Sequence, residues 1–178
     1  MQARSGDDQM FKRNWSEYVH GFGDIAEDEN DIHEYWLGLE YIHHLTRNGS
    51  QLFIRIEDNL SVETDCWLDY SDFTVGDSSS EYTLNVSGFD ETVFFSHCGD
   101  SMSSHSGLPF SAPRGETGCA DACAGGWWYP DNTSCGQSGL NSAATESDSY
   151  TCHYWATSEW MEKRKSDVRT KMFIFPRN

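Results

Sequence analysis

Positive charge is scarce in this chain. Twelve Lys and Arg stand against 29 Asp and Glu over 178 residues, a formal net charge of −17 with histidine neutral. A surface this acidic repels phosphate backbones and anionic lipid, which argues against nucleic acid and acidic membranes as partners. Long apolar runs are missing too, so no helix in the sequence can span a bilayer and membrane insertion is not expected. The opening stretch, Met1 to Met10, is polar and acidic and lacks the apolar centre of a signal peptide. No internal repeat and no second domain are visible, and the length suits one domain, 1–178, with a real hydrophobic core.

Tightly paired metal-ligand cysteines are absent as well. The six cysteines, Cys66, Cys98, Cys119, Cys123, Cys135 and Cys152, are even in number and scattered. Cys119 and Cys123 with isolated His97, His105 or His153 form the nearest approach to a zinc set, and disulfides suit that scatter better. Five glycosylation acceptor triplets, at Asn14, Asn48, Asn59, Asn85 and Asn132, occur among only eight asparagines. Cysteines and acceptors together point to an oxidising, extracellular setting, so the chain is expected to be a secreted glycoprotein whose signal peptide lies in a missing upstream region.

Local pattern suggests an α+β domain. Asn14 or Ser16 can cap a short helix that Gly21 or Gly23 ends. Asp24 to Asp31 is an acidic run suited to a solvated loop. Within Glu34 to Thr46, Leu37/Tyr41/Leu45 and Leu39/Ile42 recur at helical spacing, which predicts an amphipathic helix packed on a core. His43 and His44 inside it point to different faces of a helix and make a poor metal site. Asn48-Gly49 is a turn signal. Strands follow at Gln51 to Asp58, Trp67 to Val75 and Glu81 to Val86. Between Ser96 and Thr151 the periodicity fades into Gly, Ser, Asp, Pro and Cys, and Lys171 to Pro176 reads as a last strand. The chain therefore divides into a helix-and-sheet part, 1–95, and a loop-rich part, 96–178; long loops in a compact domain are usually functional or stapled.

The densest stretch is Cys119-Ala-Asp-Ala-Cys-Ala-Gly-Gly-Trp-Trp-Tyr-Pro-Asp-Asn-Thr-Ser-Cys135. Two glycines lead into three aromatics too large to face water together, with cysteines on either side. Followed by Gly139-Leu-Asn141, it resembles the second half of the fibrinogen C-terminal domain, the globular module of fibrinogen chains, ficolins, tachylectins, angiopoietins and tenascins. Trp15-x-x-Tyr18 leading to Gly21-Phe-Gly23, Trp36-Leu-Gly-Leu39 with Ile42-His-His-Leu-Thr46, and the Met172-Phe-Ile-Phe-Pro176 ending resemble further segments of that family. The resemblance covers nearly the whole chain, while the family's opening disulfide and glycine-rich strand are absent. It implies an antiparallel sheet with short helices and a loop-rich, disulfide-stapled ligand-binding subdomain.

The same resemblance implies a Cys119–Cys135 bridge. Cys123 and Cys152 stand outside the common pattern, one where a pocket-lining residue belongs and the other before His153-Tyr-Trp155 on the opposite wall. This implies a Cys123–Cys152 bridge and leaves Cys66 with Cys98, although the sequence itself leaves the pairing of these four open. The implied ligand pocket draws on Cys123, Trp127, Trp128, Tyr129, Gly136, His153 and Tyr154, with the two tryptophans largely buried and Gly136 standing where a binding histidine is common. Family calcium is held by paired Asp just before the first of these cysteines. Here Phe110 to Cys119 is shortened and carries Glu116 as its one carboxylate, so calcium is expected to be lost and no cofactor to be needed.

Gly99-Asp-Ser-Met102 looks like an esterase nucleophile block. No Asp-paired histidine follows near the C-terminus, so a turn capped by Asp100 is the better reading and no catalytic residue is assigned. The sequence thus leads to a secreted, non-catalytic recognition domain, with lectin-like binding of acetylated glycans in innate immunity as the leading expectation. A protein-binding module of angiopoietin or tenascin type and a degenerate member without ligand are the alternatives. A homo-oligomer assembled through the upstream region would multiply weak sites.

Overall fold

The computed structural model describes residues 1–5, 10–24, 34–58, 65–90, 98–142, 152, 154–157 and 168–177. Its frame is a seven-stranded antiparallel sheet built from β1 (Gln2–Arg4), β2 (Phe22–Gly23), β3 (Tyr35–Trp36), β4 (Ser50–Asp58), β5 (Cys66–Val75), β6 (Leu84–Asp90) and β7 (Val168–Pro176). The order across the sheet is β2-β3-β1-β7-β4-β5-β6. The last strand is therefore interior: β7 pairs with β4 from Ser50↔Pro176 to Asp58↔Val168 and with β1 from Gln2↔Met172 to Arg4↔Thr170.

Alternation explains why these strands form. Leu52, Ile54 and Ile56 of β4, Leu68 and Tyr70 of β5 and Met172 of β7 are fully buried, while their neighbours face outward. At roughly 25 cal/mol per Å² of apolar surface, each such side chain contributes about 1.5–3 kcal/mol. The outward face keeps Phe53 and Phe175 edge to face at 5.3 Å and sets the Arg55 guanidinium 4.6 Å from the Trp67 ring.

Helix α1 (Trp15–His20) begins in a reciprocal cap. The Asn14 carboxamide accepts from the Glu17 N–H at 3.1 Å, and the Glu17 carboxylate accepts from the Asn14 N–H at 3.0 Å. Gly21, at φ 92°, closes it.

Helix α2 (Leu39–Thr46) is shorter than the apolar pattern predicts. Residues 35–36 are spent on β3, and Gly38 at φ 101° sets the helix start, because a Cβ there would lie 2.7 Å from the His20 carbonyl carbon. Of the two predicted stripes, the one with Leu39 and Ile42 is fully buried. Tyr41 is 59 % and Leu45 44 % exposed, so that stripe is corrected to the solvent side. The core face is completed by Thr46, whose Oγ1 donates to the Ile42 carbonyl and accepts from the Val75 N–H at 3.1 Å. His43 Nδ1 lies 2.9 Å from the Val75 carbonyl, which fastens the helix to β5.

Strand β6 starts at Leu84, three residues later than its apolar pattern predicts. Glu81 and Tyr82 adopt left-handed backbone, φ 52° and 53°, to turn the chain back after a short 3-10 turn, Ser78–Ser80, capped by Asp77. The acidic run from Asp24 to Asp31 lies, beyond Asp24, outside the described residues.

Candidate functional site

Residues 98–142 hold short turns, the one-turn helix α3 (Cys119–Ala122) and no strand, so their shape comes from packing and bridges. Gly125 and Gly126 pass through a slot that admits no side chain. A Cβ on the first would lie 2.0 Å from the Asn141 carbonyl oxygen, and on the second 2.7 Å from the Tyr18 ring. The Tyr18 hydroxyl donates to the Phe11 carbonyl at 2.7 Å and accepts from the Gly126 N–H at 2.8 Å, tying α1 to this stretch. Burial pushes that hydroxyl well above the usual tyrosine range, so it remains protonated and able to donate.

Beyond the glycines the aromatics turn inward. Trp127 and Trp128 are fully buried, with ring centroids 5.3 Å apart, and Trp128 meets Phe110 edge to face at 5.2 Å. Trp128 Nε1 donates to the Tyr82 carbonyl at 2.8 Å, and Trp127 Nε1 to Ser138 Oγ at 3.3 Å. Tyr129 is 6 % exposed, and its buried hydroxyl has no hydrogen-bond partner among the described residues. The two tryptophans support the loops from within, while Tyr129 also lines an open cleft.

Bridges join Cys66 to Cys98, Cys119 to Cys135 and Cys123 to Cys152. The Sγ atoms of Cys123, Cys135 and Cys152 lie within 4.8 Å of one another, the one group with metal-ligand spacing among the described residues. Each is held in a disulfide, so none offers the thiolate that a metal requires.

Of the residues the resemblance placed around a pocket, Cys123, Trp127, Trp128 and Tyr154 are fully buried and Tyr129 nearly so. Gly136 alone is partly open, at φ 79°, and a Cβ on it would strike His105 Cε1 at 2.3 Å. His153 lies outside the described residues, and so does His97. The two walls are sewn together: Ser138 pairs with Trp155, the Ala156 N–H donates to the Gln137 carbonyl at 2.8 Å, and Cys123–Cys152 crosses between them.

His105, weighed from sequence only as a zinc ligand, proves to be a structural hub. It is fully buried, with Nδ1 2.6 Å from the Trp128 carbonyl and Nε2 3.0 Å from the N–H groups of both Gln137 and Ser138. Two donors at Nε2 place the ring proton on Nδ1, so the ring is neutral. Burial lowers its pKa. A lone histidine in a serine-rich turn gives no sequence signal for this role.

Open surface borders the Cys119–Cys135 bridge at Cys119. A cleft of ≈ 380 Å³ is lined by Glu81, Arg114, Glu116, Asp121 and Asp131 above Pro109 and Pro130. A second, of ≈ 330 Å³, shares Thr117 to Cys119, Pro130 and Asp131 with it and adds Asn132 and Thr133. Asp121 closes the shortened loop, accepting from the Arg114 and Gly115 N–H groups at 3.1 and 2.7 Å. The Arg114 guanidinium lies 5.4 Å from the Trp15 ring. Within the loop before Cys119, Glu116 is exposed, Arg114 stands close by and Asp121 is bonded to backbone N–H groups.

The esterase-like serine is inert. Ser101 is fully buried, with Oγ 2.8 Å from Thr157 Oγ1, and Asp100 caps the turn by accepting from the N–H groups of Met102 and Ser103 at 2.9 and 3.0 Å.

A last strand set inside an antiparallel sheet, together with a bridged aromatic loop beside an open cleft, defines a fibrinogen-like globe, a non-catalytic binding domain. The chain belongs to the family described as fibrinogen beta and gamma chains, C-terminal globular domain, whose profile matches residues 1–177. It is 32 % identical over 166 residues to the human (Homo sapiens) fibrinogen alpha chain, covering 84 % of this chain and 18 % of that protein. It is 34 % identical over 152 residues to chicken (Gallus gallus) tenascin-R, covering 82 % and 10 %. Among solved structures, the fibrinogen-like globe domain of human ANGPTL2 is similar at a TM-score of 0.74 and 28 % identity, over 99 % of this chain and 79 % of that one. Lamprey fibrin D-dimer, complexed with the peptide Gly-His-Arg-Pro-amide, is similar at 0.73 and 27 %, over 100 % and 61 %. The chain thus spans a small fraction of the curated relatives' length.

Two expected outcomes follow from the geometry. Trp128→Ala should cost about 3–5 kcal/mol, read as a large fall in melting temperature; an unchanged melting temperature would contradict the packing. His105 has its pKa depressed in the folded state, so its stabilisation is complete above about pH 6.5 and is lost as pH falls through and below that value. Melting curves from pH 7.5 to 5 in wild type and His105→Gln should show the histidine's share missing in the variant.

Proposed function

We propose that this domain is secreted and recognises a cationic segment of an extracellular protein in the acidic cleft beside the Cys119–Cys135 bridge. One observation carries the reading. Glu81, Glu116, Asp121 and Asp131 surround the opening, and Arg114, the one cation among its lining residues, lies against Trp15. Carboxylates around a concave, water-restricted space favour ammonium and guanidinium groups and speed their capture. The peptide in the lamprey fibrin complex carries such groups, an arginine among them, which agrees with this chemistry.

Lectin-like binding of acetylated glycans is the second reading, since a small apolar pocket suits an acetyl methyl group. It has less support here: Cys123, Trp127, Trp128, Tyr129 and Tyr154, expected to line that pocket, are buried, and the Cys123–Cys152 bridge spans its walls.

The readings separate in one experiment. Gly-His-Arg-Pro-amide and an arginine-free control are titrated into the oxidised domain, and the domain is passed over acetylated resin. Salt-sensitive binding of the cationic peptide is expected, weakened about 2- to 5-fold by Glu116→Gln or Asp131→Asn, as for exposed charge pairs worth up to about 1 kcal/mol. Binding to the resin with elution by acetate, and none to the peptide, would overturn the reading in favour of the lectin.

Calcium is outside this mechanism, because Asp121 closes the loop through backbone N–H groups. Millimolar calcium should therefore leave the melting temperature unchanged, since an ion bound only by the folded state would raise it. A rise reversed by chelator would contradict this account.

A further inference from the structure

The folded domain treats its glycosylation acceptors unequally. Asn59 lies outside the described residues. Asn14 caps α1 through Oδ1, and the Trp15 that follows it packs on Tyr82 and Phe110 at 6.0 and 6.3 Å. Ser50, the hydroxyl partner of Asn48, is fully buried and donates to the Phe73 carbonyl at 2.7 Å. Asn85 and Ser87 are exposed and share one face of β6, whose extended backbone brings no hydroxyl onto the Asn85 carboxamide among the described residues.

Asn132, Thr133 and Ser134 are all exposed, and their backbone is folded into a turn. Ser134 donates to Asn132 Oδ1 through both its N–H, at 3.0 Å, and its Oγ–H, at 2.6 Å. A carboxamide nitrogen is a poor nucleophile because its lone pair is delocalised into the carbonyl. A hydroxyl bonded to Oδ1 stabilises the negative charge that gathers on oxygen as Nδ2 gives up a proton, which frees the nitrogen lone pair for attack, by the same logic that places donors at any developing oxyanion. The turn is held at its base by the Cys119–Cys135 bridge, which fixes it against the rest of the domain.

We propose that Asn132 is an N-glycosylation site and that its glycan stands at the rim of the acidic cleft. The co-substrate is an oligosaccharide on a lipid diphosphate. Asn132 Nδ2 attacks the anomeric carbon, the C–N bond forms as the C–O bond to the diphosphate breaks, Nδ2 gives up one proton, and the lipid diphosphate leaves. The glycan then projects beside Asp131 and Pro130, which both clefts share, and narrows the approach for bulky partners while short peptides still pass. The assignment rests on the secretory part of the proposed function and not on what the cleft binds.

The domain is secreted from insect cells behind a secretory leader and purified without reductant. Its peptides are then mapped before and after amidase treatment in heavy-oxygen water. Asn132 is expected to carry glycan as its predominant form and to become heavy-oxygen Asp on treatment. Asn132→Gln and Ser134→Ala should each remove one glycan mass from the secreted protein. An unmodified Asn132 in secreted protein overturns the proposal, whether or not the other acceptors are occupied. Failure of the cationic peptide to bind leaves the glycopeptide masses unchanged, so the two readings fail separately.

Discussion

The placement of β7 between β1 and β4 is the constraint on which the rest of the domain depends. A strand in the middle of a sheet must satisfy both of its hydrogen-bonding edges, and here its partners lie more than a hundred residues away on one side and the other. The Met1 nitrogen adds to this closure by donating to the Met172 carbonyl at 2.8 Å. Until β7 arrives, the inward residues of β4 face a gap, and the loop-rich half has no floor to settle on. Pairing over such sequence separation is entropically costly and slow to form, which gives disulfides in the connecting loops a clear physical use.

The loop-rich half is in effect a second layer made of aromatics instead of backbone ladders. Trp36, Phe110, Trp127, Trp128 and Tyr18 meet one another at tilted and edge-to-face angles, with centroids between 5.2 and 6.4 Å. The indole tips of Trp36 and Trp128 are satisfied by backbone groups far away in sequence, as when Trp36 Nε1 donates to the Tyr18 carbonyl at 3.0 Å. This network lets segments without regular secondary structure hold one position, and so lets a cleft exist among loops.

Much of this could be read from the sequence, for identifiable reasons. Strands β4, β5 and β7 announce themselves through alternation, α1 through the Asn14 cap, and the loop-rich half through the Gly-Gly-Trp-Trp-Tyr motif. The three-residue β1 could not be read, because so short a strand carries no period and is defined by the neighbour it pairs with. The stripe on α2 misled because Tyr41 and Leu45 obey helical spacing as well as Leu39 and Ile42 do, and only the docking angle on β5 decides between them. The candidate site was legible as a place but not as a surface. Residues bracketing Cys119 to Cys135 are indeed where the clefts lie, yet which rings face inward depends on the slot that Gly125 and Gly126 thread.

Three sulfurs from two bridges share one corner, with Cys123, Cys135 and Cys152 mutually within 4.8 Å. Thiol–disulfide exchange needs only a thiolate within reach of a bonded sulfur, so the connectivity of this corner is open to permutation whenever one sulfur is freed. A variant lacking Cys119 would not simply lose a staple: it would leave Cys135 beside the remaining bridge, free to displace either partner and hand the unpaired electron-rich sulfur onward. Oxidative folding meets the same choice, and the burial of Cys123 and Cys135 then works as a lock that keeps external thiols from reopening it. The corner is thus a small exchange circuit whose correct wiring is preserved by exclusion of solvent as much as by bond strength.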